Sequence, residues 1–189
     1  MTHDPFELAA LFRRDAPCTL EIGFGNGDTL LTLACAHPHE DFIGVEVHRP
    51  GIGRLLLGLE SHALTNVRVV CADALEVLSG CMPDASLSAI LIYFPDPWPK
   101  KRHHKRRLVQ PEFAALVARK LKRGGQLHLA TDWPDYAEHM LAVLVANPDF
   151  SNAAGTGFAP RPAARLLTRF EHRGLKLGHA VRDLVFIRR

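Results

Sequence analysis

Residues 20–28 read LEIGFGNGD, a short apolar run that leads into three alternate glycines. Glycine at such positions lets the backbone turn tightly and lets a ligand approach the peptide groups. This pattern is typical of the first strand, turn and helix of an open α/β sheet that binds a nucleoside-containing cofactor. A dinucleotide fingerprint would need another glycine at position 28, but the residue there is Asp28. A carboxylate in the first helical turn would repel a pyrophosphate, whereas it tolerates a cofactor with a sulfonium and an ammonium group.

Apolar runs and helical patterns alternate along the rest of the chain, which favours a parallel sheet with helices on both faces. The predicted strands are residues 19–23, 42–47, 67–71, 87–94, 126–131 and 181–187. Apolar residues at helical spacing predict helices at residues 29–36, 52–62, 113–121 and 136–145. We therefore predict one doubly wound, mostly parallel α/β domain over residues 1–189, Rossmann-like, with about seven strands and an antiparallel last strand. Residues 151–165, rich in Gly, Ala and Pro, are expected to form a mobile loop.

Composition narrows the class of protein further. The chain has 189 residues, enough for one domain with a full core, and 47% of them are hydrophobic. No apolar run approaches the roughly 18 residues that cross a bilayer, and charges interrupt the first fourteen residues. The four cysteines form no C-x-x-C pair, so we expect reduced, buried thiols. These features predict a cytoplasmic protein without a membrane span.

Acidic residues mark the first three predicted strands. Glu21 lies in the first strand, Glu46 ends the second and Asp73 follows the third. Because ligands of open α/β sheets bind at the carboxyl ends of the strands, these acids predict a carboxylate-lined cofactor crevice beside Gly23, Gly25 and Gly27. Glu46 can accept hydrogen bonds from both hydroxyls of a ribose, and Asp73 or its loop can meet an adenine amino group. Glu21 has an alternative role as a strand residue that is hydrogen-bonded to loop amides.

A stiff, proline-rich loop follows the fourth predicted strand, where residues 91–99 read LIYFPDPWP. Its three prolines restrict the backbone, so the loop can hold a base in place. Asp96 is its only acid, and Phe94 or Trp98 could stack on a base, an interaction worth roughly 1–3 kcal/mol. The alternative is that both aromatic side chains simply pack in the core or at its rim.

A basic segment comes directly after this loop. Residues 100–107 read KKRHHKRR and hold six of the 23 lysines and arginines. A charge run alone would be read as a solvated surface, but its place beside the aromatic loop favours binding of nucleic-acid phosphates. His103 and His104 have no Cys or carboxylate partners at ligand spacing, so no metal site is expected.

Taken together, residues 19–189 resemble the tRNA (guanine-N7-)-methyltransferase family. The most specific piece is FPDPWPKK at residues 94–101, and residues 20–27 and 42–46 match the cofactor motifs of the family. The resemblance implies a class I fold that uses S-adenosyl-L-methionine to methylate N7 of a guanine in tRNA. The sequence is compatible with a monomer and with a homodimer. The resemblance implies cofactor-pocket positions at Glu21, Glu46, Asp73 and Asp96. It also implies substrate-binding positions at Lys100, Asp132, Thr168, Arg169, Phe170 and Glu171.

The same resemblance makes Asp96 the active-site acid. Guanine N7 carries a free lone pair and no proton, so attack on a methyl group needs no general base. We therefore expect Asp96 to orient the base by accepting hydrogen bonds from N1–H and the exocyclic amine, and to offset the developing positive charge.

Three other functions are compatible with parts of the pattern. A nicotinamide-dependent dehydrogenase could use a related sheet, although Asp28 disfavours its cofactor. A non-catalytic RNA-binding protein would need the basic segment alone and would bind tRNA without methyl transfer. A methyltransferase that modifies an amino group also combines an acid or amide with prolines and an aromatic residue, and only the methylated product distinguishes it.

Overall fold

The described residues of the computed structural model are 5–162, Arg165, Glu171 and 180–189. They form a seven-stranded sheet in the order β3-β2-β1-β4-β5-β7-β6. The strands are β1 (Cys18–Ile22), β2 (Asp41–Val45), β3 (Val67–Val70), β4 (Leu87–Tyr93), β5 (Leu121–Thr131), β6 (Phe150–Asn152) and β7 (Arg182–Arg188). Only β7 runs against its neighbours, pairing antiparallel with β5 and β6.

Helices connect these strands. They are α1 (Leu8–Phe12), α2 (Asp28–Ala36), α3 (Arg49–Ser61), α4 (Ala74–Glu76), α5 (Pro111–Lys120) and α6 (Pro134–Ala146). A π-helical turn (Val77–Cys81) continues α4, and a 3₁₀ helix (Lys101–Arg106), here called the basic helix, precedes α5. A proline near the start of α3, α5 and α6 suits the first helical turn, where its missing N–H costs no hydrogen bond. No helix in the described ranges is long and apolar enough to cross a membrane.

Two apolar clusters cover the two faces of the sheet. The smaller one packs α2 and α3 on β2 and β3 through residues such as Leu30, Phe42 and Leu55. The larger one packs α5 and α6 on the central strands through residues such as Leu20, Phe113 and Tyr136. A sheet buried on both faces explains why its central strands are nearly continuous apolar runs.

The order of the strands reverses at β1. From β1 the chain passes outward to β2 and β3 and then returns to the other side for β4 and β5. The register pairs Ile22 of β1 with Val45 of β2 and with Ile92 of β4, so these three strands end at the same level. Such a reversal opens a crevice at the carboxyl ends of the strands, where open α/β sheets bind their ligands.

The predicted fold class and the antiparallel last strand are confirmed. Strand β6 was not predicted from the sequence; its three residues, Phe150–Asn152, overlap the start of the predicted loop at 151–165. A strand this short has no readable alternation, and its pairing with β7 depends on a distant part of the chain. Ala159 also bridges to Asp183 of β7. The mobility of this loop stays a prediction.

Candidate active site

Two adjacent cavities lie at the carboxyl ends of the central strands. The first, of about 500 Å³, is lined by Glu21, Gly23, Gly25, Glu46 and Asp96 among others. The second, of about 340 Å³, is lined by Asp73 and again by Gly23, Glu46 and Asp96. We call the two together the crevice. The carboxylates predicted from sequence therefore come together around one space, and Asp96 belongs to both of its parts.

The glycine turn after β1 needs its glycines for backbone conformation. Gly23, Gly25 and Gly27 have φ values of 71°, 58° and 78°, in the left-handed region that side chains disfavour. A Cβ on Gly27 would lie 2.7 Å from the side chain of Leu55 on α3. Gly27 is therefore required for close packing of the turn on α3, whereas Gly23 and Gly25 line the first cavity.

Glu46 ties the end of β2 to the glycine turn. Its Oε2 accepts a hydrogen bond from the backbone N–H of Gly25 at 2.9 Å. Its Oε1 accepts from the N–H groups of Val47 at 2.7 Å and His48 at 3.0 Å. These hydrogen bonds fix the carboxylate, and each oxygen has two lone pairs, so Oε2 keeps an acceptor site for a ligand hydroxyl.

Glu21 is buried at the edge of the first cavity, with 3% of its surface exposed. Within the described part of the chain, no hydrogen bond reaches its Oε2 atom. Burial, reinforced by the nearby charge of Glu46, raises the pKa of Glu21 to about 8. A buried carboxyl group without a partner is costly, so its place beside the cavity fits a ligand that brings a cation or a hydrogen-bond donor.

Asp73 has a second task besides lining the crevice. Its Oδ1 accepts hydrogen bonds from the N–H groups of Leu75 at 2.8 Å and Glu76 at 3.3 Å. Asp73 is thus the N-cap of α4, a role that satisfies helix N–H groups which would otherwise lack a partner. This cap was not predicted from the sequence, because no helix was predicted after the third strand.

The loop between β4 and the basic helix has a strained backbone. Phe94 and Trp98 have φ values of 53° and 44°, which non-glycine residues rarely adopt. The N–H of Phe94 donates to the carbonyl of Ala130 at 2.8 Å. The Nε of Arg107 donates to the carbonyl of Pro97 at 2.9 Å. Held from both sides, the loop presents Asp96 at the crevice, and strain of this kind often accompanies function.

The two aromatic residues of this loop face different cavities. Phe94 lines the first and Trp98 the second. The guanidinium of Arg106 lies 5.0 Å from the ring centroid of Trp98, within cation–π range. The ring of His103 meets Trp98 edge-on, with the centroids 5.9 Å apart. The basic helix is therefore packed on the loop beside the crevice, and stacking of a base on Phe94 or Trp98 stays a prediction.

The basic segment is divided between surface and interior. Lys101, Arg102 and Lys105 are exposed, as a phosphate-binding surface requires. Arg107 is buried, donates a hydrogen bond to Asp135, and lies with its guanidinium 4.9 Å from the ring centroid of Tyr136. Its inclusion in the predicted surface was wrong, because burial against α6 gives this arginine a structural role.

The predicted substrate-binding residues lie outside the two cavity linings or outside the described residues. Lys100 is exposed and precedes the basic helix. Asp132 is half-buried directly after β5. Glu171 is buried, and both its carboxylate oxygens accept hydrogen bonds from Arg165, at 2.6 and 2.8 Å. The other three predicted residues, Thr168, Arg169 and Phe170, lie outside the described residues.

Sequence reasoning missed one group of residues connected to the crevice. Tyr93 lines the first cavity, and its hydroxyl lies 2.9 Å from Nδ1 of His128. The Nε2 of His128 lies 2.8 Å from Oδ1 of Asp183, which also pairs with Arg165. The available signal was that His128 lies within the apolar run 127–130 and Asp183 directly precedes the apolar run 184–187. Among the described residues, no group of three or more His, Cys, Asp or Glu could hold a metal ion.

Solved structures with a similar fold include methyltransferases. The 16S rRNA methyltransferase KamB matches with a TM-score of 0.68 at 16% identity, over 97% of this chain and 93% of its own. Precorrin-6y C5,15-methyltransferase from Geobacter metallireducens matches with a TM-score of 0.61 at 16% identity, over 95% and 84%. A family model described as "Putative methyltransferase" covers residues 15–184. The sheet and its crevice thus define a class I methyltransferase fold.

Sequence relatives narrow this class. A tRNA (guanine-N(7)-)-methyltransferase of Ectopseudomonas mendocina is 60% identical over 179 residues, which are 94% of this chain and 75% of the relative. One of Pseudomonas aeruginosa is 62% identical over 183 residues, which are 96% of this chain and 75% of the relative. The chain belongs to the tRNA (guanine-N(7)-)-methyltransferase family.

Proposed function

We propose that this protein transfers a methyl group from S-adenosyl-L-methionine to N7 of a guanine in tRNA, giving 7-methylguanosine. The observation that carries the proposal is the crevice in which Glu21, Glu46 and Asp96 meet beside the exposed basic helix. Membership of the family supports both the reaction and its substrate.

The residues of the first cavity fit this cofactor. Glu21 offers a buried carboxyl group without a partner at Oε2 among the described residues, and Glu46 offers a fixed acceptor for hydroxyl groups. Asp28 begins α2 and lines the same cavity, where its charge disfavours a pyrophosphate. S-adenosyl-L-methionine supplies an electrophilic methyl group on a positively charged sulfur. Glu21, Glu46, Asp73 and Asp96 would hold it.

The contribution of Asp96 is to position the target base. Because guanine N7 has a lone pair and no proton, the residues of the crevice need not remove one. Asp96 can accept hydrogen bonds from N1–H and the exocyclic amine, which adenine cannot provide in this pattern. Its charge also favours the positive charge that develops on the base. Rate enhancement then comes from alignment and exclusion of water.

The basic helix is proposed to bind tRNA phosphates. Lys101, Arg102 and Lys105 are exposed next to the loop that carries Asp96, so bound RNA would lie beside the crevice. Lys100, Asp132 and residues 168–171 are proposed to complete the substrate site. Because the substrate is tRNA, we place this activity in the cytoplasm.

Nucleoside analysis of the product tests the proposal. Purified protein is incubated with S-adenosyl-L-methionine and unmodified tRNA, and the RNA is digested and analysed by mass spectrometry. We expect 7-methylguanosine, with no increase in other methylated nucleosides. A guanosine methylated on its amino group, or tRNA binding without any methyl transfer, would overturn the proposal.

A further inference from the structure

A continuous chain of hydrogen bonds leads away from the crevice. The hydroxyl of Tyr93 lies 2.9 Å from Nδ1 of His128, and Nε2 of His128 lies 2.8 Å from Oδ1 of Asp183. Nη2 of Arg165 donates to the other oxygen of Asp183 at 3.1 Å. Nη1 and Nη2 of Arg165 donate to the two carboxylate oxygens of Glu171. With a proton on Nε2 and none on Nδ1, His128 donates to Asp183 and accepts from the hydroxyl of Tyr93, so each of these contacts is a hydrogen bond.

The side chains joined by these hydrogen bonds are almost all buried. The side chains of Asp183, Arg165 and Glu171 are 1–3% exposed, and that of His128 is 4% exposed. Burial raises the pKa of Tyr93 well above its usual range, so its hydroxyl keeps the proton that it donates. Apolar residues of similar size often stabilise a core as well as buried charges do, or better, so the stability of the fold does not by itself explain these buried charges.

These hydrogen bonds also join residues that are far apart in the sequence. Tyr93 ends β4 and lines the first cavity, His128 lies in β5, and Asp183 lies in β7. Arg165 and Glu171 lie outside the strands. Residues 168–170, which the resemblance assigns to substrate binding, lie between Arg165 and Glu171 in the sequence.

We propose that Tyr93, His128, Asp183, Arg165 and Glu171 form a positioning network that sets where the tRNA-binding residues stand relative to the crevice. Glu171, one of the residues proposed to complete the substrate site, is held in place by Arg165, since both its carboxylate oxygens accept hydrogen bonds from that guanidinium. The inference rests on the proposed function, because it takes tRNA as the substrate. It assigns to His128, Asp183 and Arg165 a part in the reaction without contact with the reacting atoms.

Substitution of Asp183 by Asn tests the network. The amide keeps the shape but loses the charge that Arg165 requires and brings a donor toward His128. The matched control is Asp41→Asn, because Asp41 is equally buried and pairs with Arg14 at 2.6 Å, but at the amino end of β2 away from the crevice. Melting temperature, the Kd for S-adenosylhomocysteine, the Kd for tRNA, and kcat and KM are measured for both variants.

We expect Asp183→Asn to raise the Kd and KM for tRNA about tenfold and to lower kcat, as for removal of a buried charged hydrogen bond. The Kd for S-adenosylhomocysteine should stay within about twofold of wild type. Asp41→Asn should lower the melting temperature while leaving the Kd for tRNA unchanged. Equal changes of tRNA affinity in the two variants, or no change in Asp183→Asn, would overturn the proposal.

Tyr93→Phe keeps the test decisive if Asp183→Asn does not fold. This change removes only the hydroxyl and leaves the ring at the cavity. The Kd for tRNA should rise about threefold or more, with the Kd for S-adenosylhomocysteine unchanged. A larger effect on S-adenosylhomocysteine than on tRNA would show that Tyr93 serves the cofactor alone and would overturn the network. The tRNA Kd needs no methyl transfer, so failure of the proposed reaction is recognised separately, from the wild-type product.

Discussion

Asp96 lies where the two cavities of the crevice meet, at the carboxyl end of β4. Its loop is fixed by hydrogen bonds from Phe94 and Arg107 and has two residues with positive φ. A carboxylate presented by so constrained a loop suits the positioning of a base. It does not suit a mobile proton carrier, and N7 of guanine needs none.

Replacing Asp96 therefore tests positioning. Asp96→Ala should lower the single-turnover rate of methyl transfer by a factor on the order of a hundred or more, because the base is no longer held in line with the methyl group. Asp96→Asn should be impaired almost as severely, because its amide brings donors toward N1–H and the amine of guanine. The Kd for S-adenosylhomocysteine, measured by calorimetry, should change much less than the rate.

Asp15→Asn is the matched control for the Asp96 variants. Asp15 is exposed and lies just before β1, at the edge of the sheet opposite the crevice. The single-turnover rate of the Asp15→Asn variant should equal that of wild type. An Asp96→Asn variant with a rate near wild type would remove Asp96 from the recognition of guanine.

Glu21 gives the protein a specific dependence of stability on pH. Its pKa is about 8 in the folded protein against 4.5 as the reference value. Between these values the folded state keeps a proton that the unfolded state has lost. The contribution of Glu21 to the free energy of unfolding is therefore greatest below about pH 4.5 and falls as the pH rises toward 8. In the absence of cofactor, Glu21→Gln should remove this decline. The slope of the decline is on the order of 1 kcal/mol per pH unit, so that its total is a few kcal/mol. Chemical denaturation from pH 5 to 8 measures it.

Glu112→Gln is the control for Glu21, because Glu112 is exposed in the first turn of α5. The stability of this variant should follow that of wild type at every pH. Parallel curves for wild type and Glu21→Gln would show that Glu21 is already ionised in the folded protein, and the assignment of an uncompensated carboxyl group would have to be withdrawn.

At the scale of elements, the basic helix is expected to contribute affinity without sequence readout. Changing its exposed residues Lys101, Arg102 and Lys105 to Ala should weaken tRNA binding, because fewer counterions are released on binding. The slope of log Kd against log salt should become shallower by about one for each phosphate that no longer has a cationic partner. Arg106 is left in place because it packs on Trp98. Binding of tRNA at several salt concentrations measures the slope.

The control for the basic helix removes the same charge elsewhere. Arg13, Lys122 and Arg123 are exposed and lie near the amino ends of β1 and β5, opposite the crevice. Their change to Ala should leave the salt slope near the wild-type value. An equal flattening of the slope in the two triple variants would mean that only net charge matters and that the basic helix has no special place in binding.

The longer elements could be predicted because their patterns are local. The apolar run before the glycine turn and the helical spacing in α3 and α5 each span enough residues to be recognised. The elements that were missed are short or depend on distant parts of the chain. β6 has three residues and pairs with β7, and α4 is a single turn stabilised by its cap at Asp73.

The crevice was predictable for a similar reason. Its acids follow directly on strands, so the strand pattern places Glu46 and Asp96 without knowledge of tertiary packing. Two contacts were not predictable: the one that Arg107 makes with Asp135, and the hydrogen bond between His128 and Asp183. Each joins residues that are at least 28 positions apart in the sequence. A charge in a basic run, or a histidine in a strand, does not reveal its partner.

At the scale of the whole molecule, the crevice, the strained loop and the basic helix meet at one edge of the sheet. This edge is the reversal point of the strand order, where the adjacent strands β1 and β4 end and the helices that follow them pack on opposite faces of the sheet. In the proposed arrangement, a cofactor on the β1–β2 side would therefore face a base held by Asp96, in the loop after β4. Such an arrangement suits direct transfer between two bound molecules.

Methylation of tRNA that contains 7-deazaguanosine in place of guanosine shows whether N7 is the atom that accepts the methyl group. This analogue lacks only the N7 lone pair, while N1–H and the exocyclic amine remain for Asp96. We predict that the protein binds such tRNA with an affinity close to that for ordinary transcript but transfers no methyl group to it in a single-turnover reaction. Methyl transfer to the 7-deazaguanosine tRNA at a rate comparable with the ordinary transcript would contradict N7 as the target.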